Sequence, residues 1–146
     1  AGQPWDTHDK NAERLKGLCA RTDQPSAALV KDLKQRGLLE STVVLWTGEF
    51  GRLPVSQGKD GRDHNRHAFS LWVAGGGFRA GTVHGATDDF GYKAAQDVVS
   101  VHDFHATLLH TLGIQHRGLT FPHEGREASL TDHEVTGAAV VPALLA

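Results

Sequence analysis

The stretch STVVLWTGEFGRLPVSQGKDGRDHNRHAFSLWVAGGG, Ser41 to Gly77, decides how the chain is read. Its two ends, STVVLWTG and AFSLWVAGGG, are apolar and rich in β-branched and aromatic residues, while its middle crowds three carboxylates, three arginines and two histidines among glycines. A continuous apolar run without strict alternation predicts a strand covered on both faces. Two such strands in one sheet beneath helices make an α/β fold, and the polar middle then emerges at a strand's carboxyl end, where open α/β sheets place their ligands.

Composition bounds the rest. With 146 residues, 39% of them hydrophobic, the chain fits one α/β domain, 1–146, large enough to bury a core. A net charge of −2 gives no general attraction for nucleic acid or an anionic membrane, so any preference for anions must be local. No apolar run approaches the roughly 20 residues of a membrane span, and no charged-then-apolar leader opens the chain. Cys19 is alone, so no internal disulfide can form. The absence of methionine fits either a processed start before Ala1 or a piece of a longer protein. Histidine is the outlier at ten copies, and the clusters beside aspartates matter most, because imidazole next to carboxylate is the usual material of hydrolytic metal sites.

Before the decisive stretch, Leu15, Leu18 and Cys19 form the stripe of a short helix. TDQP then predicts a break, with Asp23 as cap and Pro25 opening a second helix whose stripe, Leu29, Val30 and Leu33, ends at Gly37. After the stretch, AGTVHGATDDFGYKAAQD reads as loop with a short strand near Val83. SVHDFHATLLHTLG predicts a helix capped by Ser100 and Asp103, with Phe104, Leu108 and Leu112 on one face and Gly113 as its stop. The tail from Leu119 reads as polar loop followed by VVPALLA, where Pro142 limits any last helix to a few residues.

Four groups carry candidate chemistry. Asp6 and His8 in WDTHDKN can face one centre on extended backbone and form half of a divalent-metal site; the same pattern also suits the start of a helix, with Asp6 or Thr7 as cap. Glu49, between Gly48 and Gly51, stands where the first strand runs out and is either a functional carboxylate or a partner for Arg52 or Arg62. In GRDHNRH, His64 beside Asp63 reads as a metal ligand or proton carrier, and Arg62 and Arg66 as a fork for phosphate or sulfate oxygens; a solvated charged turn would look similar. Asp103 and His105 lie two apart on different helical faces, so Asp103 is assigned to the cap, with His102 left as an outer partner of the site. AGGGFRAG lacks the Lys-Ser/Thr of a nucleotide-binding loop, and no Gly-x-Ser-x-Gly elbow or cysteine nucleophile signature occurs.

Taken in order, WDTH, ALVKDLKQRGLLESTVVLWTGEFGR, GRDHNRHAFSLWVAGGG, HGATDDFGYKA and VHDFHATLLHTLG resemble the C-terminal part of an uncharacterised sulfatase-like family of the alkaline phosphatase superfamily. The resemblance implies a mixed, mainly parallel sheet flanked by helices, the C-terminal half of an alkaline-phosphatase-like fold. It implies a centre holding a divalent metal (Zn, Mn or Ca) that cleaves a small phosphate or sulfate ester, with Asp6, His8, Glu49 and His64 as ligands. Where typical members read Asp-His-Gly, this row reads Glu49, Phe50, Gly51, which keeps the carboxylate and replaces an imidazole with an apolar ring. The superfamily's nucleophile would precede Ala1, so the resemblance makes the chain a C-terminal fragment of an exported or periplasmic protein. A truncated sheet would expose an edge and an apolar face, and self-association as a homo-oligomer is expected.

Overall fold

The computed structural model describes residues 4–146; the first three residues of the expected single domain lie outside the described ones. The two apolar runs do pair, but as a hairpin. Strand β1 (Val44–Trp46) and strand β4 (Trp72–Ala74) run antiparallel, with Val44 opposite Ala74, Leu45 opposite Val73 and Trp46 opposite Trp72. Inside their connection a second pair forms, β2 (Gly51–Arg52) with β3 (His64–Asn65), also antiparallel. One hairpin is nested within another.

Two more hairpins follow, β5 (Ala86–Thr87) with β6 (Ala94–Gln96), and β7 (Thr120–His123) with β8 (Arg126–Ser129). With three α-helices, the described residues form an α+β structure of four separate two-stranded antiparallel sheets. This overturns the expected α/β fold with a mixed, mainly parallel, alkaline-phosphatase-like sheet. The reason is connectivity: parallel neighbours need a crossover of a dozen or more residues, usually a helix. Residues 47–71 hold glycines, a proline and turn-forming aspartates instead, so the chain folds back on itself. Val83 is almost wholly exposed and outside any strand; the strands of that region lie later, in β5 and β6.

The break expected at TDQP does not occur. Helix α1 runs unbroken over Asn11–Gln35 with Pro25 inside it. A proline there removes the N–H that would bond the Arg21 carbonyl, and α1 tolerates this because Arg21 is exposed and that carbonyl can turn to water. Leu18 is the one buried residue of the helix. Its first turn is satisfied from afar: Lys10 N donates to the Asp60 carboxylate (3.0 Å) and Asn11 N to the Asp60 carbonyl (3.0 Å). Asp60 thus ties the connection between β1 and β4 to the start of α1, and neither Asp6 nor Thr7, the alternative reading of this stretch, caps the helix.

Helix α2 (Val101–Thr111) forms as its sequence dictates. Ser100 Oγ accepts from Asp103 N (3.0 Å) while the Asp103 carboxylate accepts from Ser100 N (3.1 Å), a reciprocal box that satisfies orphan donors of the first turn. Gly113 follows at φ 75°, closing the helix in the left-handed region. Phe104 stacks on Phe78 (centroids 6.2 Å apart), and Ala106, Ala128 and Ala138 are also buried. The C-terminal segment reaches this pair, with Leu145 bridged to Phe78 and a short 3₁₀ turn at Pro142–Leu144. Helix α3 is a single turn, His133–Thr136. Among the described residues no helix is long and apolar enough to cross a membrane.

Candidate metal centre

The nested hairpin and the segment ahead of α1 meet at one place. Besides the Asp60 bonds, Arg62 N donates to the Thr7 carbonyl (3.0 Å), which lays the loop before β3 along residues 7–10. Gly61 makes the close approach possible, since a Cβ there would collide with the His8 backbone carbonyl. His8 and His64 are thereby delivered to the same point, with Asp6 beside them.

Three donor atoms form a nearly equilateral triangle. Asp6 Oδ1 lies 2.9 Å from His64 Nε2 and 3.1 Å from His8 Nε2, and the two Nε2 atoms stand 3.1 Å apart. For a cation about 2.0–2.1 Å from each ligand, a tetrahedral edge is about 3.3 Å, so the triangle needs to open by only a few tenths of an ångström. The side chains are 30%, 44% and 47% exposed for Asp6, His8 and His64, so the point is reachable from solvent. This exposed group could hold a metal ion.

The protons of His8 make the arrangement more specific. His8 Nδ1 lies 2.8 Å from Asp63 Oδ1. An ionised carboxylate only accepts, so Nδ1 carries the hydrogen and donates it. In the neutral ring, Nε2 is then a bare lone pair aimed at the Asp6 oxygen, which is also electron-rich. Two such atoms 3.1 Å apart are stabilised by a proton or a cation between them. Asp63 is itself anchored, its other oxygen accepting from Gln57 N (2.8 Å), and this bond followed by the one from His8 holds its carboxyl below the usual range. The pattern is carboxylate, imidazole, metal position, the arrangement by which an outer carboxylate fixes a ligating histidine.

Asp6 is held by Arg52, whose Nη2 donates to Asp6 Oδ1 (2.7 Å) and to the Trp5 carbonyl (3.1 Å), while Nη1 donates to the Arg62 carbonyl (3.0 Å). The hydrogen bond from His64, then that from Arg52, brings the Asp6 carboxyl down to about 2. Phe50 packs on the His64 ring with centroids 4.1 Å apart. Asn65, the next residue of β3, is buried and donates to the Tyr92 carbonyl (2.8 Å) while accepting from His67 N (2.9 Å), which fixes the strand that carries His64.

Of the four expected ligands, Asp6, His8 and His64 converge. Glu49 does not join the triangle, but it lines the same shallow pocket of about 360 Å³ with Pro4, Trp5, Asp6, Phe50 and His64. It makes no ion pair among the described residues, with Arg52 or Arg62 or otherwise. Arg62 spends Nη1 on the Leu53 carbonyl (3.0 Å), and Arg66 is exposed; neither lines the pocket. His102 lies on α2, where the charges it faces are those of Asp103 and Asp132. Arg52 was given no role at the site by the sequence; its three bonds there go to one carboxylate and two backbone carbonyls, and only the carboxylate could have been anticipated from residue types.

No curated protein and no solved structure matches this chain. A family does: residues 1–145, hence the hairpins and the Asp6, His8 and His64 group together, match the family described as "Protein of unknown function (DUF1501)", and the chain belongs to it.

Proposed function

We propose that this chain supplies the metal-binding part of a metal-dependent hydrolase of phosphate or sulfate esters, acting within a longer polypeptide. The observation that carries the reading is the triangle of Asp6 Oδ1, His8 Nε2 and His64 Nε2, with the His8 tautomer set by Asp63. The sulfatase-like resemblance of the motifs supports it by naming the same three residues as ligands. Two imidazole nitrogens and one carboxylate oxygen suit Zn²⁺ or Mn²⁺ better than Ca²⁺, which takes six to eight oxygens. Glu49, on the rim of the same pocket, is the carboxylate available as a fourth ligand. A bound metal would offset charge on ester oxygens and lower the pKa of a coordinated water. Arg52 would orient Asp6, and Asp63 would keep His8 Nε2 bare.

A non-catalytic metal-binding domain is the second reading. Phe50 favours it: its ring lies against His64 where typical superfamily members carry an imidazole, so the site is suited to one metal ion. Metal titration and a panel of aryl phosphates and sulfates, with Zn²⁺, Mn²⁺ and Ca²⁺ added in turn to the full-length protein, separate the two. Hydrolysis that disappears with His64→Ala together with metal uptake supports the enzyme. Metal uptake with silence across the panel supports the binding domain, and full activity of His64→Ala removes the site.

A further inference from the structure

Among the described residues His116 is the one buried histidine, 7% exposed in the loop that follows α2. Its Nδ1 lies 2.7 Å from the hydroxyl of Thr131, a fully buried residue at the turn between β8 and α3. The ring of His133, first residue of α3, stands edge-on to the His116 ring with centroids 6.0 Å apart. His133 is itself fastened to buried Ser129, whose Oγ accepts from His133 N (3.2 Å) and lies 2.9 Å from His133 Nδ1.

The end of the chain is laid down from this turn. The Thr131 carbonyl accepts from Thr136 Oγ1 (2.9 Å), Thr136 Oγ1 accepts from Ala138 N (3.2 Å), and Val141 N then donates to Thr107 Oγ1 on α2 (3.0 Å). Further on, the Leu144 carbonyl accepts from Arg79 N and Ala146 N donates to the Gly77 carbonyl, on either side of Phe78. At the centre of the turn Asp132 takes φ 48°, a left-handed conformation that costs free energy outside glycine and persists where its surroundings hold it. Arg126 grips the Asp132 carboxylate with two bonds (2.6 and 2.9 Å), and the His116–Thr131 bond fastens the residue before it.

We propose that His116 is an acid-operated latch: while uncharged it holds residues 129–141 against α2 and the loop after it, and taking up a proton releases them. The charged and titratable groups facing its ring are Arg117 in its own loop and His133 on α3, both basic, with no carboxylate among them in the described residues. Asp132, between Thr131 and His133, is spent on Arg126. A proton on His116 would therefore put a cation in a buried place beside an arginine and a second imidazole. Burial first, then Arg117 and His133, hold the His116 imidazole below its ordinary value of 6.5. An imidazole lowered on folding takes its proton more readily once its segment has opened, so the latch is whole above 6.5 and loosens as pH falls below that value. Carboxylates titrate near pH 4 and lower, which leaves the window from about pH 5 to about pH 6.5 to the imidazoles.

Hydrogen exchange read by mass spectrometry on the 146-residue chain, corrected for the intrinsic pH dependence of amide exchange, tests the latch. Between about pH 7.5 and about pH 5, protection across residues 129–141 should fall at least about fivefold. His116→Gln, whose amide can still meet Thr131 Oγ1 but takes up no proton, should keep the segment protected at both. Equal protection of the unmodified chain at the two pH values would overturn the proposal, and so would an equal loss in His116→Gln, since another group would then be responsible. Should that variant not fold, the ring protons of His116 followed by nuclear magnetic resonance decide. A midpoint below 6.5 that coincides with the loss of protection is expected, and one at or above 6.5 overturns the latch. Asp6, His8 and His64 take no part and exchange is read without metal, so the outcome stands apart from that of the hydrolase reading.

Discussion

Asp63 sets which nitrogen of His8 faces Asp6 as a bare lone pair, and so whether His8 could serve as a ligand. Without the carboxylate on Nδ1, the imidazole can place its hydrogen on either nitrogen, and the lone pair that faces Asp6 is no longer fixed. Asp63→Ala should therefore lower Zn²⁺ affinity about 10–100-fold, read by titration calorimetry, with the far-ultraviolet circular dichroism unchanged. Arg66→Ala, at an exposed position away from the pocket, should leave that affinity within error. The convergence of Asp6, His8 and His64 could be anticipated because acids and imidazoles announce their chemistry by type. Glu49 was legible as a carboxylate at a strand's end but not in its distance from the triangle, which depends on the path of Gly48 to Gly51. Arg52 was illegible because its anchors are the carbonyls of Trp5 and Arg62, and every residue has a carbonyl.

At the scale of elements, the capping signals of α2 held, while the break expected at TDQP, the strand near Val83 and the direction of the long-range strand pairing did not. The Ser100–Asp103 box is complete within four residues, so α2 was readable from its start to Gly113. Ser100→Ala should cost about 1 kcal/mol in urea unfolding, and Asp103→Ala should cost more, because its carboxylate also accepts from Ala139 N (2.9 Å) and ties down the C-terminal segment. Burial pushes the Asp103 carboxyl up, but the Ser100 hydroxyl with the N–H groups of Ala139 and Ser100 outweighs it and leaves the group below its ordinary range. A carboxyl lowered on folding contributes stability that is whole above its unfolded value of about 3.9 and is lost as pH falls through the lower folded one. Asp103→Asn should accordingly flatten the acid limb of a stability–pH curve. The β7–β8 hairpin went unread although Glu124 and Gly125, at φ 47° and 79°, form the two-residue left-handed turn that an X-Gly pair between strands can signal. Strand direction at β1 and β4 failed for another reason: apolar runs reveal what a strand would bury, and the connection, not the run, sets which way its partner points.

Over the whole molecule, the core around Phe78 and Phe104 and the centre around Asp6, His8 and His64 are built from different residues. An ion bound only by the folded chain stabilises it by about 2.7 kcal/mol at a free concentration a hundred times the dissociation constant. Thermal melts should thus rise with added Zn²⁺ and fall back with a chelator, whereas His64→Ala should be insensitive to both. The partners Asp6 and His64 are separated by 58 positions, with α1 and β1 between them. An ion gripping both would rivet that length into a closed ring, and removing so much slack from the unfolded chain is worth about 4 kcal/mol in the loop-entropy account used for disulfides. A protein with a single cysteine would then possess a removable cross-link, fastened by cation supply instead of oxidation, and stripping the ion would leave the lead-in to α1 open to proteases.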